Sequence, residues 1–185
     1  LLERGYEALH GAGLDRATLC GSGVGVFVGI ASHDFTTRLA ASPAGASVYA
    51  LTGGAHAIAS GRLSYALGLH GPCASVDTAC SAALVAAHAA HGAVARTEAT
   101  AALAAGVNAL LAPTLAVGFA VAGMTSAIGR SCPFDARADG YARAEACASA
   151  ALVGDGDARL AALALATGGA VRQDALHNAR LVRRR

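Results

Sequence analysis

The sequence predicts an α/β fold with a mostly parallel sheet that helices cover. Short apolar runs typical of strands alternate along the chain with longer runs typical of helices. Hydrophobic residues make up 55% of the 185 residues and charged residues only 14%, so most elements should be buried on more than one side. The turn sequence DGDA, late in the chain, indicates an antiparallel hairpin. We expect one domain over residues 1–185.

The first part of the chain predicts two helices and two strands. Leucine and tyrosine at helical spacing predict a helix in residues 1–14, which ends at its glycines. Residues 23–30, GVGVFVGI, form an apolar run bounded by glycine, which is typical of a buried strand. Apolar positions at helical spacing predict one helix over residues 47–67. A turn and a short strand follow in GPCASVDT, which leads directly into Cys80.

The second part of the chain continues the alternation of predicted strands and helices. Residues 81–96 are apolar nearly all round, which predicts a central, buried helix. Residues 100–108 are the next strand, and residues 113–124 a helix with proline in its first turn. A long polar loop occupies residues 125–146. The segments CASAALVG and RLAALALATGG predict the two strands of the hairpin.

Composition and charge exclude several classes of function. The net charge is +2, and the only basic cluster is the terminal RLVRRR, so no basic face for nucleic acid is expected. The uncharged run between Glu98 and Arg130 is mostly alanine and glycine, and Asn108 and Pro113 interrupt it, so we expect no membrane span. The chain shows no signal-peptide pattern, and a reducing, cytoplasmic setting is expected.

The cysteine and histidine spacings predict neither a disulfide framework nor a metal site. The cysteine count is odd and no CxxC pair occurs. His88 and His91 could share a helix face, but no third ligand is apparent. His88 would also lie about 12 Å along the helix from Cys80, beyond hydrogen-bond reach. The other histidines are scattered, and spacing brings none to that cysteine. The five cysteines are Cys20, Cys73, Cys80, Cys132 and Cys147.

Cys80 lies where a strand leads directly into a helix. The backbone N–H groups at a helix N-terminus lack intrahelical partners, and the helix dipole is positive there. A thiolate is stabilised in that position, and the same N–H groups can bind the oxyanion that forms when a thioester is attacked. The alternative is a small apolar cysteine that only packs. A tight elbow also needs small neighbours, which are Thr78, Ala79, Ser81 and Ala82.

The segment GPCASVDTACSAALVAAHAA resembles the active-site segment of β-ketoacyl synthases, especially the ketosynthase domains of polyketide synthases. The order of further segments matches as well: VGVFVGIASHDF, ALTGGAHAIASGRLSYALGLHGP, AAGVN, and SCPFDARADGYARAEA. The resemblance implies a thiolase-like layered α/β/α fold, of which the chain would hold roughly the first half. It also implies an acyltransferase of polyketide or fatty-acid synthesis.

In such enzymes the residue matching Cys80 accepts an acyl chain as a thioester. The chain arrives on the phosphopantetheine arm of an acyl carrier protein, and decarboxylative condensation with a malonyl-type extender follows. No cofactor is expected to bind directly. The family is dimeric, and the strand in residues 73–78 resembles its interface strand. The matching positions are Phe119 and Met124 for the acyl pocket, and Asp135, Asp139, Gly140, Arg143 and Glu145 for a loop motif near it.

Several departures from the family pattern limit what the resemblance implies. The family's two catalytic histidines belong to later segments, and His177 does not match either. Ala144 and Ala146 replace glycines of the loop motif, and a positive φ at either would strain the turn. We therefore expect that the 185-residue chain can at most be acylated or alkylated at Cys80 and cannot condense. Two alternatives stay open: a catalytically inactive structural or dimerisation fragment, and a different thiol enzyme that acylates itself or hydrolyses thioesters.

Overall fold

The computed structural model describes residues 1–154 and 166–172. Its α-helices are α1 (Leu2–Gly11), α2 (Arg16–Leu19), α3 (Asp34–Ala40), α4 (Ala50–Gly54), α5 (Ala57–Leu67), α6 (Ala82–Ala95) and α7 (Pro113–Val121). Its strands are β1 (Gly25–Gly29), β2 (Cys73–Val76), β3 (Ala101–Asn108) and β4 (Ala146–Val153). The alternation of strands and helices confirms the predicted α/β class.

The four strands form one sheet in the order β2-β1-β3-β4. β1 is parallel to both β2 and β3, whereas β4 runs antiparallel to β3. The register places Gly29 beside both Val76 and Gly106, and Asn108 opposite Ala146. The three parallel strands therefore end at the edge of the sheet where β4 begins. This edge is called the carboxyl edge below.

Each face of the sheet has its own apolar core, because side chains alternate between faces along a strand. On one face, Val26, Val28 and Leu103 pack with Leu9 of α1 and Leu63 of α5. The opposite face carries Phe27 and the alternate alanines of β3, which pack against α6. The result is three layers, helix, sheet and helix, as the sequence predicts.

The prediction of a central, buried helix is confirmed only in part, because α6 packs on the sheet but is buried on one face only in the described structure. The opposite face includes Leu84, whose side chain is 76% exposed. Buried alanines recur every three or four residues and so form one face of the helix. Their small side chains let the helix axis lie close to the sheet, and the sheet covers this face alone. The buried residues of the helix are Ala82, Ala86, Ala90 and Ala93.

The predicted helix over residues 47–67 is in fact two helices, α4 and α5. The chain is extended at Ala55, with ψ of 124°, directly after a pair of glycines. Two short helices, α2 and α3, were not predicted. In α2, Asp15 accepts a hydrogen bond from the backbone N–H of Thr18 at 2.8 Å, which caps the helix.

The first strand of the predicted hairpin is confirmed as β4, whereas the pairing of the hairpin stays a prediction. β4 pairs with β3, and the run RLAALALATGG lies mainly outside the described residues, as does His177. Helix α7 ends three residues earlier than predicted, before Gly123, whose φ of +66° does not continue a helix. Among the described residues, no helix combines the length and apolarity that a membrane crossing needs.

Candidate active site at the carboxyl edge

The carboxyl edge of the sheet brings Cys80 and Glu145, which the sequence analysis singles out, together with other polar residues. His33 and Asp34 follow β1, Asp77 and Cys80 follow β2, and Glu145 directly precedes β4. In sheets with parallel strands, ligands bind at this edge because the loops there are free to carry functional groups. The fold therefore brings segments that are far apart in sequence to one place.

Cys80 lies in a single 3₁₀ turn, Ala79–Ser81, between β2 and α6, and its side chain is exposed. Ala79 has φ of +52°, a left-handed conformation that is uncommon for a residue with a Cβ atom. Its N–H donates to Asp77 Oδ1 at 3.0 Å, and the Ser81 hydroxyl donates to the Thr78 carbonyl at 2.9 Å. These bonds fix a sharp strand-to-helix elbow that exposes the thiol.

Two glycines let the elbow lie directly on the sheet. Gly29 of β1 and Gly106 of β3 are register partners on the face that α6 covers. A Cβ atom at Gly29 would lie 2.5 Å from the Ala82 carbonyl carbon and the Ala83 nitrogen, and one at Gly106 would lie 2.7 Å from Ala83 Cβ. Glycine inside a strand signals such a close approach, although its partner cannot be read from sequence.

The loop motif lies beside the segment that contains Met124. The Tyr141 N–H donates to the Met124 carbonyl at 3.1 Å, and the Ser126 N–H donates to the Tyr141 carbonyl at 3.0 Å. Gly140 has φ of +146°, and a Cβ atom there would lie 2.6 Å from the Ser126 nitrogen and the Thr125 carbonyl carbon. Only glycine allows this close pairing of the two segments.

Phe119 of α7 packs against the same loop motif. Its ring meets that of Tyr141 edge-on with centroids 6.2 Å apart, and the Arg143 guanidinium carbon lies 5.0 Å from its centroid. The Arg143 Nε atom is buried and has no hydrogen-bond partner in the described structure. The structure thus brings Phe119, Met124 and Arg143 together, and within the described residues no hydrogen bond or aromatic contact joins them to Cys80.

Glu145 fastens the loop motif to the end of β3. Its Oε1 atom accepts the N–H of Leu110 at 2.7 Å, and Asn108 Nδ2 donates to the Ala144 carbonyl at 2.7 Å. Neither Ala144 nor Ala146 has a positive φ, so the exchange of glycine for alanine does not strain this turn. The end of β3 and the loop motif are therefore held together by one side chain from each, Asn108 and Glu145.

The two aspartates of the loop motif also bind within the loop. Asp139 Oδ2 accepts the N–H of Ala127 at 3.2 Å. Asp135 pairs with Arg137 at 2.8 Å, and the hydrogen bond from that side chain is the main reason why the pKa of Asp135 lies below its ordinary value. Both carboxylates stabilise the local loop conformation.

Asp34 is a buried carboxylate that the sequence did not single out. It is only 3% exposed, and its Oδ2 atom accepts the N–H groups of Leu111 and Ala112, both at 3.1 Å. These residues directly precede Pro113 and α7. Asp34 therefore ties the loop after β1 to the start of the helix that carries Phe119. An acidic residue shortly after a buried apolar strand was the available signal.

We expect Asp34→Ala to lower the free energy of unfolding by about 3 kcal/mol, because two backbone N–H groups lose a charged acceptor in a buried place. Asp34→Asn keeps one acceptor oxygen and should recover part of that loss. Urea unfolding followed by circular dichroism measures both. Glu3→Ala, on the exposed first turn of α1, is the control, and an Asp34→Ala midpoint equal to that of the control would contradict the assignment.

Two histidines that sequence spacing left scattered also reach this edge. The rings of His33 and His56 are stacked, with centroids 4.3 Å apart and an interplanar angle of 11°. With Asp77 they form a group whose potential ligand atoms all lie within 4.8 Å of one another. His56 Nε2 lies 2.9 Å from the Ser32 carbonyl oxygen. The group is called the His-Asp cluster below.

Comparisons with known proteins agree with this architecture. Residues 1–158 match the family model of the β-ketoacyl synthase N-terminal domain. The chain is 43% identical over 169 residues to a mycocerosic acid synthase-like polyketide synthase of Mycolicibacterium smegmatis, a match that covers 88% of this chain and 8% of that protein. It is 41% identical over 184 residues to a component of the phenolphthiocerol/phthiocerol polyketide synthase of Mycobacterium tuberculosis, covering 96% of this chain and 12% of that protein.

Among solved structures, the chain is similar to the ketosynthase from module 6 of the bacillaene synthase from Bacillus subtilis 168. The TM-score is 0.76 with 34% sequence identity, over 85% of this chain and 26% of that chain. The chain thus spans about a quarter of that structure and a much smaller share of the two synthases. The layered α/β/α fold is the thiolase-like fold of ketosynthases, as predicted. The chain belongs to the β-ketoacyl synthase family, the condensing enzymes of polyketide synthases, and matches its N-terminal domain.

Proposed function

We propose that Cys80 accepts an acyl chain as a thioester, delivered on the phosphopantetheine arm of an acyl carrier protein. The single observation that carries this proposal is the exposed thiol on a sharp elbow, with a left-handed Ala79, at the carboxyl edge of the sheet. Such elbows present a nucleophile at the N-terminus of a helix, where backbone N–H groups can stabilise an oxyanion. A cysteine that only packs would not need this backbone conformation.

The transfer step balances without a cofactor. The Cys80 thiolate attacks the thioester carbonyl carbon, and a sulfur–carbon bond forms while the carbonyl oxygen carries the negative charge. That intermediate collapses, and the bond to the pantetheine sulfur breaks. The carrier thiolate leaves and takes up the proton that Cys80 gave to solvent. The acyl chain remains on Cys80.

We propose that the acyl chain extends along the surface formed by Phe119 and Met124. Phe119 is half-buried and Met124 is 45% exposed, so both offer apolar contact area to a ligand. Arg143 and Tyr141 hold the Phe119 ring, and Glu145 anchors the loop motif to β3. In this proposal the loop motif positions the surface and does not take part in the reaction.

A second copy of the chain is the proposed partner of β2. This strand is at one end of the described sheet, so the side facing away from β1 has no neighbouring strand there. Unpaired strand edges pair readily with another strand. An edge-to-edge dimer would continue the sheet across both copies and would bring their two elbows near the dimer interface.

For a complete ketosynthase domain, we propose that decarboxylative condensation with a malonyl-type extender follows acylation, in polyketide or fatty-acid synthesis. For the 185-residue chain we propose acyl transfer alone. A second candidate is an inactive structural or dimerisation fragment of the same fold. It is favoured by one observation: within the described residues, no hydrogen bond joins the Cys80 thiol to a basic side chain.

Acyl transfer is tested by exposing the purified chain to the acetyl thioester of N-acetylcysteamine and following its intact mass. We expect one acetyl group per chain, located at Cys80 by peptide mapping and removed by neutral hydroxylamine, because a thioester is cleaved by that reagent. The chain unfolded in urea is the control for intrinsic thiol reactivity. Equal labelling of all five cysteines, at the rate of the unfolded chain, would contradict the proposal and favour the inactive fragment.

A further inference from the structure

We propose that the His-Asp cluster, His33, His56 and Asp77, binds a divalent transition-metal cation of the zinc class. The three residues come from three different segments: the loop after β1, the start of α5, and the end of β2. Their potential ligand atoms lie within 4.8 Å of one another. In a tetrahedral site with bonds of about 2.0–2.1 Å, ligand atoms lie roughly 3.4 Å apart. Rotation of the exposed side chains of His33 and Asp77 would close that difference.

The environment of His56 fixes which of its nitrogens can bind a cation. The Ser32 carbonyl oxygen, 2.9 Å from Nε2, can only accept a hydrogen bond, so Nε2 carries a proton. Nδ1 is left with its lone pair. Histidines that bind metals usually donate their other ring N–H to a carbonyl or a carboxylate in this way, which holds the ring in place. His56 is therefore oriented for ligation before any cation arrives.

The stacked ring of His33 supplies a second imidazole beside the first. The two rings are nearly parallel, and their centroids are 4.3 Å apart. The lone pair of each ring nitrogen lies in the plane of its ring, so the exposed His33 ring must rotate about its side-chain bonds to direct a nitrogen at a cation beside His56. His33 is exposed and His56 half-buried, so a cation can enter from solvent.

Asp77 supplies the negative charge. One of its carboxylate oxygens accepts the N–H of Ala79 at 3.0 Å, and the other remains for a cation. The ion pairs of the described residues join other partners, so no arginine neutralises Asp77 there. Two imidazoles and one carboxylate suit zinc, iron, cobalt or nickel better than magnesium or calcium.

Three protein ligands leave a coordination position open, and the structure provides space beside the cluster. Ser32 and His56 also line a cleft of about 310 Å³, with mainly apolar walls that include Ile30, Phe35 and Val107. A water molecule or a small anion can reach the open position from there. Cys80 does not line this cleft, although Asp77 belongs both to the cluster and to the hydrogen bonds that hold the Cys80 elbow.

The test is a titration of the reduced 185-residue chain with Co²⁺, followed by visible absorption and by thermal unfolding. We expect one equivalent of Co²⁺ to bind with the absorption of a four- or five-coordinate ion and without a thiolate charge-transfer band, and to raise the unfolding temperature. Zn²⁺ should displace it. His33→Ala and His56→Ala should each weaken binding by at least roughly 10- to 100-fold, the loss typical of an outer-shell partner, because each removes a ligand.

The matched control is the double variant His88→Ala/His91→Ala, whose histidines share one helix and should not contribute. Equal Co²⁺ affinity in His33→Ala and the unsubstituted chain would overturn the proposal, and so would a loss of binding in the double variant. A thiolate charge-transfer band would overturn it too, because the cation would then be held by cysteines. If one of the single variants does not fold, the proposal is tested by the Co²⁺ affinity of the other single variant. The rise in unfolding temperature that Co²⁺ causes in the unsubstituted chain is the second measurement.

Discussion

Cys80→Ala is expected to abolish acyl transfer to the chain while leaving the free energy of unfolding within about 0.5 kcal/mol of the original. The sulfur atom is the only group at the elbow that can form the thioester, so its removal leaves no route for the reaction. The side chain is exposed, and the elbow is held by Asp77, Thr78 and Ser81. Losing the thiol therefore changes the chemistry and not the turn.

Intact mass after exposure to a short acyl thioester measures the first part, and urea unfolding measures the second. Cys73→Ala is the matched control, because Cys73 is also exposed but lies at the start of β2, away from the elbow. The control should be acylated at the original rate. An acyl adduct of undiminished yield in Cys80→Ala would move the acyl site to another residue and refute the assignment.

Gly29→Ala is expected to lower the free energy of unfolding by about 3 kcal/mol and to change the alkylation rate of Cys80. The new Cβ atom would lie 2.5 Å from two backbone atoms of Ala82 and Ala83, far inside the van der Waals contact distance. Backbone atoms cannot rotate away as a side chain can. The first turn of α6 must therefore lift from the sheet, and that turn directly follows the thiol.

Gly61→Ala, in the interior of α5, is the matched control with the opposite sign. A Cβ atom there meets nothing within 4 Å, so alanine should raise the free energy of unfolding by about 0.5–1 kcal/mol. Urea unfolding and the rate of Cys80 modification by iodoacetamide compare the two variants. A Gly29→Ala chain with the stability of Gly61→Ala would show that α6 does not rest on the sheet as described.

The sheet and the central helix were predictable because their signals are local. The strand predicted at residues 23–30 is Gly25–Gly29, and the helix predicted at 81–96 is Ala82–Ala95. The single helix over 47–67 was a wrong prediction, because its apolar spacing outweighed the paired glycines that separate α4 from α5. The helices α2 and α3 are too short for periodicity to detect. The predicted burial of α6 was too extensive, since composition does not tell which face is covered.

The elbow could be inferred from the direct passage of a strand into a helix, but its supports could not. Asp34 meets Leu111 across 77 positions, and Gly29 meets α6 only once the sheet has formed. Asp77 lies near the thiol in sequence. His33 and His56, the other members of the His-Asp cluster, reach Asp77 from other segments of the chain. Such contacts between distant parts of the sequence depend on the order of the strands in the sheet, which no local pattern specifies. Phe119 and Arg143 could be named as candidates only through family resemblance.

The paired glycines under α6 have a consequence for the timing of synthesis. Gly29 and Gly106 together form the surface of the sheet on which the first turn of α6 rests. Gly106, however, follows Cys80 by 26 residues in the chain. At translation rates of about 5–20 residues per second, Cys80 is synthesised roughly one to five seconds before Gly106. During that interval the nascent chain has no β3 and no complete parallel sheet to seat the helix. The thiol is then a cysteine of an unfinished polypeptide, and the reactivity that we propose for it requires the last strand beneath α6.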